Sequence, residues 1–177
     1  MGYTHYWTPK IVDQKTWDKF LEDAKTLKKN LPRYSQSAGG YFAEGRWKRV
    51  IKIRGGLGTG RPEINKKAIY LNGDEQRGLD HETFYISPTC DDWAFCKTAR
   101  KPYDLLVCAL LIAAHAELGY EVSSDGDLED WEPAIDYYFE QIYGEGIQNF
   151  DYEQLEAILP RFLWKEYVPE SYKEHYH

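Results

Sequence analysis

The chain has 177 residues, a formal net charge of −7 and an aromatic content of 16%. This length suits one domain with a well-formed core. The three cysteines are odd in number and form no C-x-x-C pair, which is typical of a reduced, cytoplasmic protein. The first residues lack the basic and apolar regions of a secretory signal, and the apolar run 105–114 is about half the length that spans a bilayer. We therefore expect neither export nor a membrane partner.

Positive and negative charges are segregated along the chain. The segment 46–67 holds eight Lys or Arg residues and one acid, whereas 117–160 holds thirteen acids and no Lys or Arg. The acidic block disfavours binding of duplex nucleic acid. The charge pattern is compatible with a basic pocket for a small anion, and also with a contact between the two blocks of different subunits. We expect a homo-oligomer.

Hydrophobic periodicity and turn residues predict the elements in chain order. They are a strand at 3–8, a helix at 16–31 capped by Thr16, strands at 48–53, 68–71 and 81–86, a helix at 103–118, a strand at 120–123, and helices at 128–143 and 151–159. The Gly/Ser-rich segment 35–45 receives no assignment. This order predicts an α+β fold, in which a mainly antiparallel sheet of about five strands packs on a buried central helix and two or three further helices. We expect one domain over 1–166 and a C-terminal tail over 167–177.

The segment 95–104 leads directly into the apolar run 105–114, which predicts a helix with no polar side and therefore a buried one. Lys97, Arg100 and Lys101 precede this helix, at the end where the helix dipole disfavours cations. A bound anion would interact favourably both with these cations and with the free N–H groups at the start of the helix. The alternative is internal neutralisation, and the sequence leaves both open. The acids that offer this internal pairing are Asp91, Asp92 and Asp104.

Cationic and aromatic side chains together favour a binding protein for a small anionic, nucleotide-type ligand. Aromatic rings stack on bases, and contacts between Lys or Arg and phosphate are charge-assisted. On a strand, Tyr6 and Trp7 point to opposite faces, so only one of them faces a given pocket. The predicted ligand-binding residues are His5, Tyr6, Trp7, Arg54, His81, Lys97, Arg100 and Tyr103.

The first alternative is an enzyme, a hydrolase or transferase acting on a nucleotide or ADP-ribose-type molecule. Its acid/base candidates are His81, Glu82 and Asp125. The glycines of 55–62 do not match G-x-G-x-x-G, and Tyr85 occupies the second His position of H-E-x-x-H. The chain therefore offers no complete catalytic set and no metal cage, and we expect no cofactor. The second alternative is a protein-interaction inhibitor that presents the acidic helix 128–143.

Several motifs together resemble a group of small bacterial and bacteriophage proteins that begin with the same hexapeptide. The motifs are 2–7, the glycine loop 54–62, 72–73, 81–84, 95–104 and 123–126 with Trp131. The resemblance covers most of residues 1–143 and implies no particular reaction. It implies a phage origin and a place in the cytoplasm of a bacterial host. By analogy with phage proteins that capture nucleotide-type immune signals, it implies sequestration of such a signal.

Overall fold

The computed structural model describes residues 2–35 and 49–173, which form three small antiparallel sheets and six α-helices. The strands are β1 Thr4–Thr8, β2 Tyr34–Ser35, β3 Arg49–Val50, β4 Glu63–Ile64, β5 Ile69–Leu71, β6 Phe84–Ile86, β7 Ala94–Lys97 and β8 Glu121–Ser124. The helices are α1 Gln14–Lys29, α2 Asp104–Leu118, α3 Leu128–Tyr143, α4 Tyr152–Ile158, α5 Arg161–Tyr167 and α6 Glu170–Lys173. None of these helices has the length and apolar character that crossing a bilayer requires.

The predicted α+β class is confirmed, but the sheet is smaller and more divided than predicted. The described strands form sheets in the orders β7–β1–β8, β2–β3 and β4–β5–β6, rather than one sheet of about five strands. Two strands are shorter than predicted because only part of each predicted segment is paired. The segment 48–53 contains β3, and the segment 81–86 contains β6. β7 has no predicted counterpart, since its four residues show no regular apolar alternation. Lys48 and the segment 36–45 lie outside the described residues.

β1 is the middle strand of the sheet that positions the candidate site. Both of its neighbours run antiparallel to it, with His5 opposite Cys96 in β7 and opposite Ser124 in β8. The two outer strands therefore end beside the start of β1. The segment after β7 leads into α2 and the segment after β8 leads into α3, so both helices begin at this edge of the sheet.

α2 is the centre of the core, as its apolar sequence predicts. Ten of its fifteen residues are buried, and it packs against α1 and α3. A helix covered on several sides needs no polar face, which explains the unbroken apolar run. Gly119 ends the helix with a φ of 74°, a left-handed conformation that glycine adopts without strain.

Side-chain caps determine where the surrounding helices begin. Asp13, and not the predicted Thr16, caps α1, because its carboxylate accepts the Thr16 N–H at 2.7 Å. α4 begins after Asp151, which forms a capping box with Gln154. The predicted tail holds the last residue of α5 and all of α6, while residues 174–177 lie outside the described part of the chain.

Glu117 of α2 is a partly buried acid beside α1. Its Oε2 is buried without a hydrogen-bond partner among the described residues. Burial and the neighbouring Asp23 of α1 raise the pKa of Glu117 above its ordinary value, against the opposite effect of Lys19. Tyr138 and Tyr143 of α3 face the same pair of acids. Ionised Glu117 therefore costs the folded state free energy.

Glu117→Gln is expected to raise the melting temperature more at about pH 8 than at about pH 5. Because the folded-state pKa lies above the unfolded one, wild-type stability is full at low pH and declines as pH rises through the raised pKa. Glutamine keeps a donor toward Asp23 and does not ionise. Thermal melts at both pH values check this beside the exposed control Glu22→Gln, and a pH-independent shift would contradict it.

Candidate functional site

A cleft of about 340 Å³ opens at the sheet edge where α2 and α3 begin. These two helices form its walls, together with Tyr3 and residues of β2. Its lining combines tyrosine side chains with two cations and four carboxylates. The charged residues are Arg100, Lys101, Asp104, Asp130, Asp136 and Glu140, and the tyrosines are Tyr3, Tyr34 and Tyr137.

A strained turn holds Arg100 at the wall of the cleft. Ala99 and Arg100 have positive φ values of 51° and 57°, although neither is glycine. Such a conformation costs about 1–3 kcal/mol for each residue and persists where surrounding contacts enforce it. Two backbone bonds enforce it here. The Lys101 N–H donates to the Thr98 carbonyl at 3.0 Å, and the Ala99 N–H donates to the Tyr3 carbonyl at 3.2 Å.

The Arg100 guanidinium contacts both a ring and a carboxylate. Its central carbon is 4.1 Å from the centroid of the Tyr3 ring, and Nη1 donates to Asp130 Oδ1 in the first turn of α3. The bond to Asp130 raises the pKa of Arg100. Because the Arg100 side chain is 45% exposed, the pair adds little stability and mainly orients the guanidinium. Arg100 thus has an internal partner, but this partner is Asp130 and not one of the predicted acids Asp91, Asp92 and Asp104.

Asp104 is the first residue of α2, and its side chain is 18% exposed. Oδ1 accepts two short hydrogen bonds, from His5 Nε2 and from Thr98 Oγ1, both at 2.6 Å. The positive end of the helix dipole also favours the carboxylate here. Oδ1 is therefore fully engaged, while Oδ2 faces Cys108 at 3.5 Å.

His5 is fully buried, and its neighbours define its tautomer. Nδ1 lies 2.7 Å from Ser124 Oγ, which already accepts N–H bonds from Gly126 at 2.9 Å and from the Trp131 indole at 3.1 Å. With both lone pairs occupied, the Ser124 hydroxyl donates to Nδ1. Nε2 then carries the ring proton and donates it to Asp104. Neutral His5 therefore satisfies both of its side-chain neighbours.

Cys108 completes a compact group of metal-ligating side chains. Its Sγ is 3.4 Å from His5 Nε2 and 3.5 Å from Asp104 Oδ2, and one ligand atom from each residue lies within 4.8 Å of the others. Burial and, next, the charge of Asp104 raise the pKa of Cys108 well above its ordinary value, so the thiol is protonated. Sequence patterns did not predict this group. Its one local signal is the i, i+4 spacing of Asp104 and Cys108.

The predicted ligand-binding residues of β1 lie on two faces of the strand, as its alternation predicts. His5 and Trp7 are buried on the inner face. Tyr6 lies on the outer face, where its ring stacks on Trp93 with 5.9 Å between centroids and its hydroxyl donates to Asp125. Tyr6 and Trp7 therefore do not share a pocket.

Of the eight predicted ligand-binding residues, Arg100 alone lines the cleft. Arg54 forms an ion pair beside the glycine loop. His81 lies beside the Lys97 carbonyl, 2.8 Å from Nδ1, and Tyr103 is buried in the core. A ligand-binding role for the residues outside the cleft stays a prediction.

The three acid/base candidates contact the backbone at one edge of the sheet. Glu82 Oε2 accepts the Lys97 N–H at 2.6 Å, and Asp125 Oδ2 accepts the Thr4 N–H at 3.1 Å. His81 contacts the carbonyl of the same Lys97. These contacts connect the loops to β1 and β7, and none of the three residues lines the cleft. Their catalytic role stays a prediction.

Comparison of the chain with protein-family models, curated proteins and solved structures finds no match. The resemblance drawn from the sequence motifs therefore stays a prediction. The fold and the site define an α+β chain with a cleft of mixed charge at one sheet edge, and any function has to be argued from that cleft.

Trp7→Ala is expected to lower stability strongly, whereas Tyr6→Ala leaves the fold nearly unchanged. Removal of a buried large aromatic side chain costs about 3–5 kcal/mol. Tyr6 loses only an exposed stack and a surface hydrogen bond. Denaturant unfolding of both variants beside wild type measures the difference, and equal losses of stability would be inconsistent with the two faces described here.

Proposed function

We propose that the cleft binds a small nucleotide-type ligand with an anionic group and holds it without converting it. A volume of about 340 Å³ falls at the lower end of the range of about 300–1,000 Å³ that is typical of small-molecule sites. This size suits a single nucleotide unit better than a longer molecule. By binding such a molecule without converting it, the protein would sequester a nucleotide-derived signal.

The strained turn at Ala99 and Arg100 carries the proposal. Strained backbone conformations cluster at ligand-binding and catalytic sites, because elsewhere their cost brings no advantage. The strain here orients a guanidinium that has five N–H donors in a planar arrangement suited to phosphate or carboxylate. Arg100 is therefore the residue that we assign to the anionic group of the ligand.

The rest of the cleft suits the uncharged part of such a ligand. Tyr34 and Tyr137 offer rings against which a base can pack. Asp136 and Glu140 lie one helical turn apart on α3 and offer acceptors for hydroxyl or amino groups. Burial and, next, the charge of Glu140 raise the pKa of Asp136. A hydrogen-bond donor on the ligand would therefore stabilise the ionised carboxylate.

A nucleotide panel tests the proposal. Purified protein is incubated with nucleosides, mononucleotides and ADP-ribose-type molecules, freed of unbound material and heated, and the released compounds are identified by mass spectrometry. We expect an intact compound at about one equivalent per chain, as a single cleft implies. A chemically altered compound would identify an enzyme instead, and no retained compound across the panel would overturn the proposal.

Arg100→Gly is expected to weaken binding of the retained compound by at least about tenfold, because a charge-assisted hydrogen bond contributes about 1.5–3 kcal/mol. Stability should be kept, since glycine adopts a positive φ without strain. Calorimetric titration and thermal melts measure the two effects.

Ala99→Gly is the matched control for this variant. It relieves strain in the same turn and keeps the guanidinium, so we expect a higher melting temperature and an affinity within about threefold of wild type, a change well below that of one charged contact. Equal affinities for the two variants would show that Arg100 has no part in binding.

A further inference from the structure

The cleft carries more negative than positive charge, which opposes a ligand with an anionic group. Its charged side chains are two cations and four carboxylates, an excess of two negative charges when all are ionised. One of the cations, Lys101, also donates its Nζ to the Gly78 carbonyl at 3.0 Å. A further source of positive charge would therefore favour an anion in this cleft.

Two of the spacings among three donor atoms beside the cleft match those of a tetrahedral metal site. With Zn–N of about 2.0 Å, Zn–O of about 2.1 Å and Zn–S of about 2.3 Å, a sulfur ligand stands about 3.5–3.6 Å from its nitrogen and oxygen neighbours. Cys108 Sγ is 3.4 Å from His5 Nε2 and 3.5 Å from Asp104 Oδ2. Because Thr98 donates to Asp104 Oδ1 and Oδ2 is the oxygen beside Cys108, Oδ2 is the oxygen that faces a metal.

We propose that His5 Nε2, Asp104 Oδ2 and Cys108 Sγ bind one zinc-class transition-metal ion. Asp104 and Cys108 lie on one face of α2, and His5 approaches them from β1. Asp104 and Cys108 also line the cleft, so the fourth position of the ion opens into it. Three protein ligands and an open position are typical of zinc sites that bind a further molecule, whereas structural sites use four protein ligands.

The donor set selects the kind of metal ion. Thiolate and imidazole suit zinc, cobalt or copper, whereas magnesium and calcium take oxygen ligands. On binding, the Cys108 thiol loses its proton to solvent. The neutral imidazole carries its proton on Nδ1, so Ser124 Oγ becomes an acceptor and releases one of its two N–H partners. This exchange costs the bond from His5 Nε2 to Asp104 and one N–H bond to Ser124, against three bonds to the metal.

The hydrogen bonds that orient metal ligands are already in place. Ser124 contacts the ring nitrogen of His5 that does not bind the metal, and Thr98 holds Asp104 through Oδ1. Such outer contacts fix ligand orientation in metal sites. The ion supplies two positive charges and the Cys108 thiolate one negative charge, so the site gains one net positive charge beside Arg100, and the open position takes an anionic atom of the bound molecule. This last step rests on the proposed function, whereas the metal site does not.

Titration of the metal-free wild-type protein with cobalt(II) tests the site directly. Tetrahedral cobalt bound to a thiolate gives visible d–d bands and a near-ultraviolet charge-transfer band from sulfur to cobalt. We expect one cobalt ion per chain with both features, displaced by zinc and not by magnesium. Wild-type protein without the charge-transfer band would overturn the proposal.

Cysteine variants identify the sulfur ligand. Cys108→Ser and Cys108→Ala, with folding checked by circular dichroism, should lose the charge-transfer band. Its survival in either folded variant would overturn the proposal. The matched double variant Cys90→Ser/Cys96→Ser leaves Cys108 as the only cysteine and should keep the band, so the assignment is tested even where Cys108 variants do not fold. Loss of the band in the folded double variant would also overturn it.

Inorganic phosphate added to the cobalt-loaded protein tests the open position. We expect phosphate to shift the d–d bands of the wild-type protein. Arg100→Gly should lower the phosphate affinity at least tenfold, and both results together support an anion bound beside Arg100. If phosphate leaves the bands unchanged, the proposal of an open position is overturned, whereas the proposal of the metal site is not. Retention of a nucleotide by protein that gives no cobalt spectrum would overturn the metal site and leave the proposed function standing.

Discussion

The hydrogen-bond chain through buried His5 joins the elements that build the site. His5 belongs to β1, Asp104 begins α2, and Ser124 ends β8 and holds the Trp131 indole of α3. A buried polar group without a partner costs more than one hydrogen bond contributes, so each of these positions depends on the others. One imidazole therefore connects the start of α2 and, through Ser124, the end of β8 and the indole of α3 to the middle strand of the sheet.

The strained turn between β7 and α2 is a consequence of the same chain. Thr98 is tied to Asp104, and the Ala99 N–H is tied to the Tyr3 carbonyl, so both ends of the turn are determined by the sheet and the helix. Only a few residues lie between these contacts, and two of them, Ala99 and Arg100, adopt positive φ. The strain places a guanidinium and a carboxylate on the same cleft.

The net charge of that cleft bears both on the anionic ligand and on the metal ion. Arg100 suits an anion, but the four carboxylates around it oppose one. A metal ion held by His5, Asp104 and Cys108 would reduce this conflict, because its two positive charges outweigh the one negative charge of the Cys108 thiolate and its ligands already include one of the carboxylates. The buried thiol then has a role beyond filling space in the core.

Local patterns were enough to predict the α+β class, the buried α2 and the two faces of β1. Each depends on side-chain periodicity along the chain. They did not predict that Arg100 meets Asp130, 30 positions away, or that His5 meets Cys108, 103 positions away. Such contacts follow from strand pairing and helix packing, which bring together residues that no short sequence window contains. The sequence therefore supplied the chemical groups of the site, while the packing of β1, β8, α2 and α3 set which of them touch.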